Sequence, residues 1–119
     1  MNSKDSPLVS VVMPCYNAAQ YITESIESVI AQTHRNWELI IVDDYSKDNS
    51  VEIIQDYQNN DNRIKLIRNA RPSGSPAEPR NIGIEHSTGE YIAFLDSDDI
   101  WTSDKLQKQL AKFQEGDYA

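Results

Sequence analysis

At 119 residues the chain is long enough for one domain with a real core but short for a complete two-substrate enzyme. Its formal charge of −8 disfavours general nucleic-acid binding, which needs basic surface to displace counterions. The single cysteine, Cys15, excludes an intrachain disulfide and fits a reducing compartment, and no apolar run approaches the roughly 18–20 residues of a membrane span.

The opening MNSKDSP lacks the apolar stretch of a signal peptide, so the expected location is cytoplasmic. Residues 8–13 are short, β-branched and mostly apolar, which predicts a strand buried on both faces and stopped by Pro14. Asn17 is the predicted N-cap of an amphipathic helix to about residue 32, with Ile22, Ile26, Val29 and Ile30 on one stripe. Residues 37–42 form the second strand. A polar loop follows, and Asp48 caps a second helix whose inner face carries Val51, Ile54 and Tyr57. Asn59, Asn60, Asp61 and Asn62 break that helix before a third strand at 64–67.

Residues 69–79 carry Pro72, Gly74, Pro76 and Pro79 and form no regular element. Pro79 suits the first turn of a short helix reaching His86, after which Ser87, Thr88 and Gly89 turn the chain. Residues 91–95 are the fourth strand, and Thr102 or Ser103 caps a last helix with Leu106, Leu110 and Phe113 inward. Strand and helix alternate throughout. That order predicts an α/β fold with a three-layer α/β/α arrangement, a mainly parallel sheet and right-handed crossovers, in a single domain over residues 1–119. An uncovered sheet edge would favour self-association, so a homo-oligomer is one expectation.

The acids carry the functional argument. Asp43 and Asp44 close the second strand, and Asp96 and Asp98 close the fourth. Acids directly after buried strands are costly, whereas in an open parallel sheet the carboxyl ends of the strands are where ligands bind. Helix capping explains one acid per loop, but two paired sets at corresponding ends only poorly. In an extended D-x-D the two carboxylates share one side of the backbone, suiting Mg²⁺ or Mn²⁺ alongside substrate phosphates. A carboxylate at 43–44 could instead accept a hydrogen bond from a base N–H, with Tyr16 stacking on the base or simply capping the core. Arg80 is a phosphate candidate or a plain surface arginine. It ends a basic stretch that also holds Arg63, Lys65, Arg68 and Arg71, most of which reads as a solvated face. His34 and His86 follow or end helices and form no pair, and Cys15 reads as a small buried residue rather than a reactive thiol. No glycine pattern of the dinucleotide-binding type follows the first strand.

At these residues the chain resembles the family 2 glycosyltransferases, GT-A-fold enzymes that use nucleotide-activated sugars. The matching pieces are VSVVMPCYN at 9–17, ELIIVDDYSKD at 38–48, RNIGI at 80–84 and GEYIAFLDSDD at 89–99, in the family's order. The resemblance implies a Rossmann-like, N-terminal donor-binding part of a longer enzyme that transfers a sugar from a nucleotide-sugar, commonly a UDP-sugar, with inversion. It implies that Pro14, Tyr16, Asp43, Asp44, Arg80 and Asp96 bind the nucleotide, with Asp44 at the base, and that Asp98 with Asp96 meets Mn²⁺ or Mg²⁺. Asp99 is read as structural. It further implies a glycan or lipid-linked glycan acceptor, a role in cell-envelope or polysaccharide synthesis at the inner face of a membrane, and a general base beyond the last residue. One departure is SPAEP at 75–79, where many relatives carry small residues.

Three rivals remain at the level of sequence. A haloacid-dehalogenase-like phosphatase carries its D-x-D on the first strand of its domain, not the fourth. A signalling receiver needs an Asp ending the third strand, where this chain has Arg68 and Asn69. A nucleotide- or metal-binding module without turnover is the non-enzymatic alternative.

Overall fold

In the computed structural model, which describes residues 6–75 and 77–114, each β-branched run becomes a parallel strand and each amphipathic run a helix. The order is β1 (Val9–Cys15), α1 (Ile22–Ile30), β2 (Trp37–Asp43), α2 (Ser50–Asn60), β3 (Ile64–Arg68), α3 (Ala77–Glu85), β4 (Tyr91–Phe94) and α4 (Lys105–Gln114). The strands lie in the order β3-β2-β1-β4, all parallel. The chain winds outward from β1 through β2 to β3, then crosses to the other side of β1. The winding reverses between β1 and β4, and in such sheets ligands sit at that reversal, beyond the strands' carboxyl ends.

Alternation along the strands divides the interior. Val9, Val11, Met13 and Cys15 of β1, with Trp37, Leu39 and Ile41 of β2, meet Ile22, Ile26 and Val29 of α1, Ile54 of α2, and Leu106 and Leu110 of α4 in one core. The opposite face takes α3. There Gly83 lies so close to the sheet that a Cβ would fall 2.3 Å from Val12 Cγ1, and only glycine fits that approach. β4 is an edge strand, and its Ile92 and Phe94 are exposed. Among the described residues no helix is long and apolar enough to cross a membrane.

Five local expectations are corrected. Pro14 does not stop β1. Even-numbered backbone groups of this strand face β4, as the Val12 carbonyl does in accepting Leu95 N–H at 3.0 Å, and the β1–β4 register ends at Val12 and Phe94. The missing N–H of Pro14 therefore faces a side where no strand is left to pair, and β1 runs on to Cys15 along β2. Asn17 is not the cap of α1: its φ is 48°, its Oδ1 accepts Lys47 N–H at 2.8 Å, and the helix begins after Tyr21. The same helix ends at Ile30, and Gln32 turns inward, donating to Thr102 O at 2.7 Å and accepting Leu106 N–H at 3.0 Å. Thr102 does not cap α4 through its side chain; its hydroxyl donates to the Asp104 carboxylate at 3.0 Å. The N-cap of α2 is Asn49 rather than Asp48, which stands one residue earlier and accepts Ser50 N–H at 3.0 Å.

Candidate functional site

The loops that leave β1, β2, β3 and β4 at their carboxyl ends enclose an open cleft of about 670 Å³. Pro14 comes from the end of β1, Tyr16, Asn17 and Tyr21 from the loop after it, Asp44 from the end of β2, and Pro72, Gly74 and Ser75 from the loop after β3. Pro79 and Arg80 come from α3, and Asp96, Ser97 and Asp98 from the end of β4. Of the residues predicted to bind nucleotide or metal, the structure brings Pro14, Tyr16, Asp44, Arg80, Asp96 and Asp98 to this one cleft.

Asp43 is the exception. It shares the face of Trp37, Leu39 and Ile41, is fully buried, and its carboxylate accepts the Ser46 N–H at 3.0 Å and the Ser46 hydroxyl. One residue further on, the chain has left the strand and Asp44 faces the cleft. Burial, reinforced by the neighbouring Asp43 charge, pushes the Cys15 thiol up to about 12, so Cys15 is no nucleophile.

Asp44 is held by the loop after β3. Its Oδ1 accepts Asn69 Nδ2 at 2.9 Å and Ser73 N–H at 3.0 Å, and its Oδ2 accepts the Ser73 hydroxyl at 2.8 Å. Partial burial alone would raise its pKa, but the donors from Asn69 and Ser73 more than offset this and keep the carboxyl below its ordinary value. Tyr16 is 57% exposed and forms a wall of the cleft, which removes the option that its ring caps the core.

The acidic end of β4 departs from the extended D-x-D of the sequence argument. The strand stops at Phe94, and Asp99 N–H returns to Asp96 O at 3.0 Å in a tight turn. The turn is pinned from beneath by the buried Ser25 of α1, whose hydroxyl lies 2.8 Å from Ser97 O and 2.6 Å from Asp99 O. As a result Asp96, Asp98 and Asp99 all place a carboxylate oxygen within 4.8 Å of one another, all three exposed. Asp99, expected to be structural, belongs to the cluster. Three converging hard oxygens, with room for substrate oxygens, fit the donor set that Mg²⁺ or Mn²⁺ takes. Arg80 reaches across from α3 to Asp96, at 3.4 Å.

Of the basic stretch, only Arg80 lines the cleft. Arg63 chelates Asp61 and lies 3.8 Å over the Trp37 ring, and Lys65 pairs with Glu38 at 2.9 Å. Asn69, Ser73 and Ser25 also shape the site, polar residues in loops or on a helix that no spacing in the sequence singles out.

Residues 10–119 match the family description "Glycosyl transferase family 2". The chain is 50% identical over 104 residues to the putative teichuronic acid biosynthesis glycosyltransferase TuaG of Bacillus subtilis, covering 87% of this chain and 41% of that protein. It is 46% identical over 107 residues to the Escherichia coli UDP-Glc:alpha-D-GlcNAc-diphosphoundecaprenol beta-1,3-glucosyltransferase WfgD, covering 90% and 41%. Among solved structures, S. aureus TarS 1-349 in complex with UDP superposes with a TM-score of 0.83 at 34% identity, over 90% of this chain and 32% of that one. The mannosyltransferase PcManGT of Pyrobaculum calidifontis, in complex with GDP-Man and Mn²⁺, superposes with a TM-score of 0.80 at 26% identity, over 87% and 31%. The chain thus spans about two-fifths of the curated relatives it matches. With its fold, its cleft and four motifs in register, the chain belongs to glycosyl transferase family 2 and has the GT-A fold.

Proposed function

We propose that this chain is the donor-binding part of an inverting glycosyltransferase that transfers a sugar from a UDP-sugar to an acceptor hydroxyl, with a divalent cation at the β4 turn. The observation that carries the reading is the meeting of a base-sized acceptor, Asp44, with Arg80 and the Asp96, Asp98 and Asp99 turn across one cleft at the sheet's switch point. TarS with UDP and PcManGT with GDP-Man and Mn²⁺ support it, and WfgD, named for UDP-Glc, supports the uridine donor.

In this arrangement Tyr16 lies along the base and Asp44 accepts its ring N–H. Arg80 turns from Asp96 to a phosphate oxygen, the charge-assisted pairing that arginine favours. Asp98 and Asp96, with Asp99 beside them, would hold Mn²⁺ or Mg²⁺, which when bound neutralises charge developing on the departing diphosphate. Inversion, the acceptor and the general base come with the family resemblance rather than with any residue of this cleft. The lipid-linked substrate in WfgD's name supports a glycan or lipid-linked acceptor, and a place at the inner face of a membrane comes with the family resemblance.

Titration of UDP into wild type and Asp98→Asn, each with and without Mn²⁺, tests the reading. Wild type is expected to bind UDP tightly only with metal, and Asp98→Asn to lose that increment. Equal affinity in all four titrations would remove the metal bridge from the proposal.

A further inference from the structure

The acids of the cleft differ in how much of their hydrogen-bonding capacity the protein itself uses. A carboxylate offers about four acceptor positions, two on each oxygen. On Asp44 both positions of Oδ1 are filled, by Asn69 Nδ2 at 2.9 Å and Ser73 N–H at 3.0 Å. One position of Oδ2 is filled by the Ser73 hydroxyl at 2.8 Å. That hydroxyl also lies 2.9 Å from Ser75 O, but it has one proton, and an anionic carboxylate is the stronger acceptor. Asp44, which lines the cleft, therefore has a single acceptor position open, on Oδ2.

We propose that Asn69 and Ser73 determine the base specificity of the donor site: by filling Oδ1 and one position of Oδ2 they leave Asp44 able to accept one N–H only, which selects an imide pyrimidine, uracil or thymine. The inference deepens the function proposed above and rests on its placing of the base at Asp44. Uracil and thymine present one ring N–H between two carbonyls. Guanine presents N1–H and an amino N–H side by side, and a carboxylate satisfies that pair through both oxygens. Here Oδ1 is closed to it, so a guanine donor would be left unpaired on desolvation. That omission discriminates more strongly than a missing contact in an apolar pocket. Adenine and cytosine place a ring-nitrogen lone pair beside their amino group, and an anionic oxygen repels it. Specificity then comes from what the loop occupies as much as from what Asp44 offers.

Calorimetric dissociation constants for UDP, dTDP and GDP in the presence of Mg²⁺ test this on the full chain. The proteins compared are wild type, Asn69→Ala, the double variant Asn69→Ala/Ser73→Ala, Ser73→Thr and Asp44→Ala. Wild type is expected to prefer UDP, or UDP and dTDP, over GDP. The double variant should shrink that preference by about tenfold, the scale of one hydrogen bond to a charged group, chiefly through tighter GDP binding. Ser73→Thr keeps both donors and should keep the wild-type ratio. If the double variant fails to fold, Asn69→Ala alone opens Oδ1 and should move the ratio in the same direction. Equal UDP and dTDP affinities assign the imide edge whatever the sugar, and weak dTDP beside strong UDP assigns the uridine nucleoside as a whole, uracil with its ribose.

A wild type that prefers GDP, an unchanged ratio in the variants, or equal weakening of UDP and GDP overturns the inference. Asp44→Ala separates it from the function beneath. Undiminished UDP binding there means the base is not at Asp44, and both fall. If Asp44→Ala weakens UDP while the loop variants leave the ratio unchanged, the donor site stands and only the specificity role of Asn69 and Ser73 fails.

Discussion

Glu38 near the amino end of the sheet and the acids after β4 at its carboxyl end are used in opposite ways. At the amino end, Glu38 of β2 is 4% exposed and fully engaged by the protein. Its Oε1 accepts Lys65 Nζ at 2.9 Å, and its Oε2 accepts Thr88 N–H at 2.8 Å and the hydroxyls of Ser10 and Thr88. Ser10 in turn accepts Gly89 N–H at 2.8 Å, so one carboxylate fastens β1, β2, β3 and the turn into β4. At the carboxyl end, Asp96, Asp98 and Asp99 are exposed and crowd together, and among the described residues only the loose Arg80 contact brings opposite charge to Asp96. A satisfied buried acid is architecture. Exposed acids forced into proximity by a turn cost the fold something through mutual repulsion, and that cost is understandable where a cation completes the arrangement.

The largest expected effect breaks the amino end. Glu38→Ala leaves the buried Ser10 hydroxyl and Thr88 N–H without their acceptor and should cost about 3 kcal/mol in urea unfolding, on the scale of breaking a buried pair. The folded fraction should still bind UDP. A loss below about 0.5 kcal/mol, the range of ordinary surface changes, would mean that the network is replaceable by water.

The same acid predicts a pH dependence. Burial would raise the Glu38 pKa, but the donors from Ser10, Lys65 and Thr88 bring it down from 4.5 to about 2. Its contribution is therefore fully present above about pH 4.5 and is lost as pH falls towards 2, because the unfolded chain takes up the proton first. The loss should be about 1–3 kcal/mol across that window. Asp44, Asp48 and Asp61 are also held below their ordinary values and push in the same direction. The difference between wild type and Glu38→Gln isolates the Glu38 part: it should shrink on acidification, and a difference that stays constant from pH 6 to pH 2.5 would contradict the assignment.

At the other end the expected signs reverse. Asp98→Asn should leave the urea midpoint unchanged or slightly raised, since it removes one of three crowded charges. It should weaken metal-dependent UDP binding by about tenfold to a hundredfold, the range seen when metal sites lose supporting groups. Destabilisation of the apo chain by more than about 1 kcal/mol would show that the cluster is structural after all.

Most of the fold was legible because burial imposes periodicity: β-branched runs made the strands, and Ile22, Ile26 and Val29, with Leu106 and Leu110, marked the helices that cover them. The errors lie where a residue's role depends on a neighbour distant in sequence. Pro14 reads as a breaker until β4 is known to end short of it. Asp43 and Asp44 are indistinguishable in sequence, yet strand alternation buries one with Ser46 and delivers the other to the cleft. Asp99 joins its neighbours because a turn replaces the extended backbone, and that turn rests on Ser25, more than seventy residues earlier. Cleft residues on strand ends were readable from the switch-point rule. Those that organise them, Asn69, Ser73 and Ser25, were not, because small polar residues carry no periodic signal.

The smallest effects come from two arginines that sequence placed in one basic stretch and the fold separates. Arg63 lies 3.8 Å over Trp37 and pairs with Asp61 at 2.8 Å, beside the start of β3. Its removal uncovers the Trp37 ring and should cost about 1 kcal/mol in stability, the sum of a cation–π contact and a partly exposed pair, with UDP affinity unchanged. Arg80 meets Asp96 only at 3.4 Å, both side chains about half exposed, so Arg80→Ala should leave stability within about 0.5 kcal/mol. Under the proposed assignment of its guanidinium to a phosphate rather than to the base, the change should instead weaken UDP several-fold and uridine hardly at all. Unfolding curves and paired UDP and uridine titrations on the two variants read all four quantities. If Arg80→Ala weakened uridine as much as UDP, the arginine would belong to the base subsite, and the division of labour between Asp44 and the β4 end of the cleft would have to be redrawn.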